Sequence, residues 1–70
     1  MTVRQLHRIM VLFDECSYLI TDADNKVLCM PCTWMNVPRQ LRDLEIYTAL
    51  LKDSSTSNEK VMDICIQIKR

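Results

Sequence analysis

The chain opens with apolar residues at the three- and four-residue spacing of a helix. Thr2 precedes them, and Gln5 follows three positions later, which is the pattern of a capping box at a helix start. The apolar residues fall on one helical face: Val3, Leu6, Ile9, Met10 and Phe13. We therefore predict a helix within residues 2–13. The alternative is a strand over residues 8–14, because residues 9–13 form an unbroken apolar run.

Two short β-prone runs flank a cluster of Asp and Asn, and this pattern predicts a β-hairpin. The runs cover residues 17–21 and 26–30. The chain has no glycine, so the two positions with positive φ that a tight hairpin turn needs must go to other residues. Asp24 and Asn25 are expected there, because Asp and Asn tolerate that conformation.

The turn sets which residues of the two strands face each other. With Asp24 and Asn25 at the turn, Ile20 faces Cys29, and Leu19 faces Met30. Pro31 has no backbone N–H group, so we expect it to end the ladder.

A second helix is predicted in the middle of the chain. Asn36 is a candidate N-cap, and Pro38 fits the first turn of a helix. The positions that follow share one helical stripe: Leu41, Leu44, Thr48 and Leu51. This helix should end near residue 52 or 53, before a polar turn at residues 54–58.

Near the C-terminus apolar side chains alternate with mostly polar ones, which predicts a strand over residues 60–69. Its buried face is expected to carry Met62, Ile64, Ile66 and Ile68. The element order αββαβ then gives a small α+β domain over residues 1–70, with a three-stranded, mostly antiparallel sheet and two helices. The order βββαβ is the alternative, with the strand over residues 8–14 in place of the first helix.

Composition argues against several classes of enzyme. The chain has 70 residues, no glycine and a single histidine, His7. Phosphate-binding loops and nucleophile elbows need glycine, and triad chemistry needs a histidine with partners. We therefore expect no catalytic activity. Because nine basic residues balance nine acidic ones, no net charge favours nucleic acid or an anionic membrane as the partner.

The N-terminal apolar run is too short for a secretion signal or a membrane span, which needs about 20 apolar residues. A cytoplasmic protein is expected, and its four cysteines should be reduced thiols in that compartment.

The pair Cys29 and Cys32 has the C-x-x-C spacing of zinc and redox sites. We expect these cysteines to be small buried apolar residues, and we expect no cofactor. The alternative is a zinc-stabilised module, whose four ligands would be Cys16, Cys29, Cys32 and Cys65, with His7 as a further candidate.

Four residues are the candidate binding site: Trp34, Met35, Arg39 and Arg42. Arg, Trp and Met are enriched in the cores of protein interfaces. Both arginines fall in the first turns of the predicted second helix, where the helix dipole disfavours bases, so another interaction must hold them there. The alternative for Trp34 is a lid over the hydrophobic core.

The expected function is therefore a non-enzymatic protein-interaction module. Its size is typical of accessory factors and inhibitors that bind a host macromolecule, including those carried by phages and other mobile elements. The alternatives are the zinc-stabilised binding module and a nucleic-acid-binding protein. If the C-terminal strand has an unpaired edge, a homodimer is also expected to form by pairing with a second copy.

Overall fold

The computed structural model describes residues 1–69 as a small α+β domain with two helices and a four-stranded mixed sheet. Two 3-10 turns, Met10–Leu12 and Trp34–Asn36, lie between these elements. The helices and strands follow in this order: α1 (Val3–Ile9), β1 (Glu15–Thr21), β2 (Val27–Cys32), α2 (Arg39–Arg42), β3 (Ile46–Asp53) and β4 (Val61–Ile68).

The first helix begins at the predicted capping box. The Gln5 backbone N–H donates to Thr2 Oγ1 over 3.2 Å, and the Thr2 backbone N–H donates to Gln5 Oε1 over 2.8 Å. Val3 and Leu6 are buried against the sheet, whereas Ile9 is exposed. The alternative of a strand over residues 8–14, and with it the order βββαβ, is wrong.

The two central strands of the sheet are parallel and come from opposite ends of the chain. The strand order is β2-β1-β4-β3, with antiparallel pairs on both sides of the β1–β4 pair. Tyr18 pairs with Ile64 and Ile20 pairs with Ile66 across the centre. All four side chains are buried, so this pair of strands forms the base of the core.

The predicted hairpin forms β1 and β2, and its predicted Ile20–Cys29 pair is confirmed. The turn is longer than two residues, and only Asn25 has positive φ, at 65°. The Asp22 carboxylate closes the turn, because its Oδ1 accepts from the backbone N–H groups of Asp24 and Lys26.

A bulge in β2 changes the rest of the predicted register. Tyr18 pairs with Cys32, so the predicted Leu19–Met30 pair is absent from the ladder. Pro31 lies inside β2 and does not end it. This position is tolerated because β2 is an edge strand and Pro31 sits in the bulge, where no backbone donor is needed.

The second helix is far shorter than predicted. It has only four residues and ends at Arg42, and the chain then forms β3. Ile46, Tyr47 and Thr48 have low helix propensity, and the segment instead pairs with β4, where Ile46 lies opposite Ile68 and Thr48 opposite Gln67. The sheet therefore has four strands, where three were predicted, and the order αββαβ lacks one strand.

The C-terminal strand is confirmed, including its buried face of Met62, Ile64, Ile66 and Ile68. It lies between β1 and β3, so the condition for a homodimer paired through the C-terminal strand, an unpaired edge on that strand, is not met. The sheet edges belong to β2 and β3. No helix within residues 1–69 is long and apolar enough to cross a membrane.

The helices cover one face of the sheet and leave the other face open. Leu19 pairs with Cys65, which in turn pairs with Leu50, so these three side chains form a row across three strands. Leu50 is 70% exposed, and Cys65 is also exposed.

Candidate functional site

Three aromatic rings meet where α1, β1 and the second 3-10 turn come together. The His7 imidazole stacks on the Trp34 indole with ring centroids 4.2 Å apart and planes 5° from parallel. The Tyr18 ring lies edge-on to His7 and tilted towards Trp34, at 5.9 and 5.6 Å. These contacts fix Trp34 against the core on one side, as expected for a lid.

The Arg42 guanidinium holds the second 3-10 turn in place. Its Nε donates to the Val37 carbonyl over 3.0 Å, and its Nη2 donates to the carbonyls of Trp34 and Met35 over 3.0 and 3.4 Å. The guanidinium carbon also lies 4.7 Å from the centroid of the Trp34 ring. Arg42 is the last residue of α2, so the predicted conflict with the helix dipole does not arise, and these interactions hold the side chain in place.

An apolar groove of about 380 Å³ lies beside this cluster, between the two 3-10 turns. Larger depressions of about 470 and 540 Å³ exist elsewhere, but neither brings several aromatic rings together. The apolar lining of the groove comes mainly from six residues: Met10, Val11, Phe13, Tyr18, Trp34 and Met35. Val11 and Met35 are 69% and 83% exposed and form its rim.

The histidine in this cluster has a lowered pKa and forms a hydrogen bond with Tyr18. Burial, with help from the positive charges of Arg42 and Arg4, lowers the pKa of His7 below its usual value. His7 Nδ1 lies 2.8 Å from the Tyr18 hydroxyl. Burial raises the pKa of that hydroxyl, so near neutral pH a neutral Tyr18 and a neutral His7 share one hydrogen bond, whose direction follows the imidazole tautomer. The pair satisfies two polar groups beside an apolar groove.

The structure brings together three of the four predicted binding residues. Trp34 and Met35 line the groove, and Arg42 supports both from behind. Arg39 is exposed in α2, its side chain makes no hydrogen bond or ion pair within residues 1–69, and it does not line the groove.

Sequence reasoning placed Met10 and Phe13 on the apolar face of the first helix and did not identify this region as a site. Met10 and Phe13 are only half-buried, and Val11 is exposed, because α1 ends at Ile9 and the chain turns away. The five-residue apolar run 9–13 was the available signal, since one helical face cannot bury five consecutive residues.

The cysteines do not assemble as a set of four. The Cys29 and Cys32 thiols are 3.4 Å apart, while Cys16 donates to the Met10 carbonyl. Cys65 lies on the open face of the sheet, because it alternates with the buried Ile64 and Ile66. Within residues 1–69, no group of three or more His, Cys, Asp or Glu side chains could hold a metal ion.

Nucleic-acid binding gains no support from this geometry. Arg4 is paired with Asp43 over 2.8 Å, and Arg42 is committed to backbone carbonyls. The His7 and Arg42 side chains occupy part of the Trp34 surface on which a base would have to stack.

Comparison of the sequence with protein-family models and with curated proteins, and of the fold with solved structures, finds no significant match.

Proposed function

We propose that this protein is a non-enzymatic interaction module and that the groove between its two 3-10 turns receives an apolar side chain of a partner protein. The observation that carries the proposal is the rim of the groove. Val11 and Met35 stand 69% and 83% exposed above a floor of half-buried aromatic rings. Exposed apolar side chains grouped around a concave site are typical of protein-binding surfaces.

The floor of the groove is rigid and its rim is adaptable. Trp34 is held by stacking on His7 and by the hydrogen bonds from Arg42 to the turn, so little side-chain entropy is lost there on binding. Met10 and Met35 are unbranched and polarisable, which suits them to contacts with side chains of different shapes. This combination favours an aromatic or long aliphatic anchor.

Charge near the groove indicates what should flank that anchor. Asp14 and Glu15 lie along the groove, and both are exposed. Asp14 Oδ2 accepts from the Lys60 backbone N–H, which fixes the position of that carboxylate. A partner segment with Lys or Arg beside its apolar anchor would complement this edge.

The other functions remain secondary. A zinc-stabilised module would need ligands beyond Cys29 and Cys32. A nucleic-acid partner would find part of the Trp34 ring surface already covered by His7 and Arg42. A homodimer formed by strand pairing would have to use the edge of β2 or β3. Inhibition of a host macromolecule, of the kind found for small proteins of phages and other mobile elements, is the form of partner binding that we favour on size.

The proposal is tested by comparing Met35→Ser with Met30→Ser. Met30 is 69% exposed and lies outside the groove, so the two changes remove the same side chain from different surfaces. Immobilised wild type and both variants are incubated with lysate of the source cells, and captured proteins are quantified by mass spectrometry. Any enriched protein is then purified and titrated.

The expected result is one partner whose affinity falls about tenfold or more in Met35→Ser and changes less than about twofold in Met30→Ser. Equal loss in both variants, or loss only in Met30→Ser, would contradict the proposal. So would turnover of a small molecule in the groove by the purified chain.

A further inference from the structure

The thiols of Cys29 and Cys32 are brought into contact by the bulge in β2. In a regular strand, residues three apart point to opposite faces. Here β1 advances two residues, from Tyr18 to Ile20, while β2 advances three, from Cys29 to Cys32. The extra residue turns both cysteines towards the core face, and their Sγ atoms lie 3.4 Å apart.

The two thiols differ in access to solvent. Cys29 is 7% exposed, and its Sγ also lies 3.4 Å from the Met30 carbonyl. Burial, together with the neighbouring Cys32 thiol, raises the pKa of Cys29 to about 11. Cys32 is only half-buried at the end of the edge strand, so a small molecule can reach it first.

We propose that Cys29 and Cys32 form a thiol–disulfide exchange site whose substrates are low-molecular-weight disulfides. The Cys32 thiolate attacks one sulfur of the substrate, forms a mixed disulfide and releases the first small thiolate. The Cys29 thiol then loses its proton, attacks the Cys32 sulfur and displaces the second small molecule, which leaves as a thiol. Two protein thiols and one small disulfide thus become one protein disulfide and two small thiols.

The surrounding structure favours a disulfide between Cys29 and Cys32 over a disulfide with another cysteine of the chain. A disulfide bond is about 2.0 Å long, so an approach of about 1.4 Å joins the two sulfurs. Cys16 is engaged with the Met10 carbonyl, and Cys65 is on the open face of the sheet. Neither is placed to compete with Cys29 for a mixed disulfide on Cys32. This inference is independent of the proposed groove.

The test uses the full chain with Cys16→Ser and Cys65→Ser, which leaves only the proposed pair. The folded protein is incubated at neutral pH with glutathione disulfide and sampled over time by alkylation, intact mass and peptide mapping. Circular dichroism checks the fold. If the double variant does not fold, Cys65→Ser alone is used, because that residue is exposed, and mapping then assigns the bond.

We expect a Cys29–Cys32 disulfide without accumulated glutathione adduct, formed at least about tenfold faster in the folded chain than in denaturing urea, because the fold holds the thiols together. Cys29→Ser in the same background should stop at a stable adduct on Cys32. A persistent adduct on Cys32 in the folded chain with Cys29 present would overturn the proposal. Absence of reaction, or equal rates in folded and denatured chains, would also overturn it.

Discussion

The His7 imidazole and the Tyr18 hydroxyl are joined by a hydrogen bond of 2.8 Å between α1 and β1. Tyr18 is fully buried in the core, whereas His7 is half-buried and stacks on Trp34. The bond therefore connects the centre of the sheet to the wall of the groove. Burial favours the neutral form of the imidazole, whose Nδ1 accepts from the hydroxyl in one tautomer and donates to it in the other.

The burial of His7 predicts a loss of stability in mild acid. Burial lowers the pKa of His7 in the folded state below its value in the unfolded chain, so the unfolded chain binds more protons as the pH falls. Stability should be full above the unfolded pKa of about 6.5 and decline as the pH falls from there towards the lower folded pKa. Urea unfolding between about pH 7.5 and pH 5 measures this.

The control for the pH experiment is His7→Phe, which keeps a ring beside Trp34 and removes the titrating group. Its urea midpoint should be flat over the part of the range above the carboxylate titrations. A wild-type midpoint that rises as the pH is lowered to 5 would show that His7 has a raised pKa and would contradict this account.

Removal of the indole should destabilise the domain as well as the groove. Trp34 packs on the core and stacks on His7, so Trp34→Ala is expected to cost about 2–3 kcal/mol of unfolding free energy. Trp34→Phe should cost less, because a ring remains. Urea denaturation at neutral pH measures both, and an alanine variant as stable as the wild type would show that the indole is not packed as described.

The several hydrogen bonds of the Arg42 guanidinium should contribute more to stability than its positive charge does. Arg42→Lys keeps the positive charge but loses the arrangement that reaches two or more carbonyls of the turn, and a loss of about 1–2 kcal/mol is expected. Arg39→Lys is the matched control in the same helix and should change stability by less than about 0.5 kcal/mol. Equal effects in the two variants would contradict the assigned role of Arg42.

The capping box at the N-terminus of α1 should contribute to the stability of the domain. Thr2→Ala removes the acceptor for the Gln5 N–H, and a cost of about 1 kcal/mol is expected from the lost cap. Ser57→Ala, in the exposed loop between β3 and β4, is the control and should have little effect. A Thr2→Ala variant with the wild-type urea midpoint would show that the cap is unimportant.

The elements that were predicted correctly are those determined by residues close together in the sequence. The capping box of Thr2 and Gln5, the hairpin and the alternation of β4 are all local patterns, and all three appear in the structure. β3 was missed because its apolar positions fit a helix and a strand equally well. Its state is decided by pairing with β4, which no local pattern contains.

The groove was predicted only in part for a similar reason. Trp34 and Met35 were identified by residue type, which is informative at interfaces. The opposite wall, at Met10 and Val11, depends on where α1 ends. The sequence pattern placed Met10 on the apolar face of a longer helix and gave Val11 no role in the site.

The most direct test of the binding groove is a comparison of two photo-crosslinking positions in source cells. Val11 and Leu50 are 69% and 70% exposed, one on the groove rim and the other on the open face of the sheet. A photoreactive phenylalanine derivative replaces each in turn. We predict a cross-link from position 11 to a single partner protein and none to that partner from position 50. Cross-links only from position 50 would contradict the account.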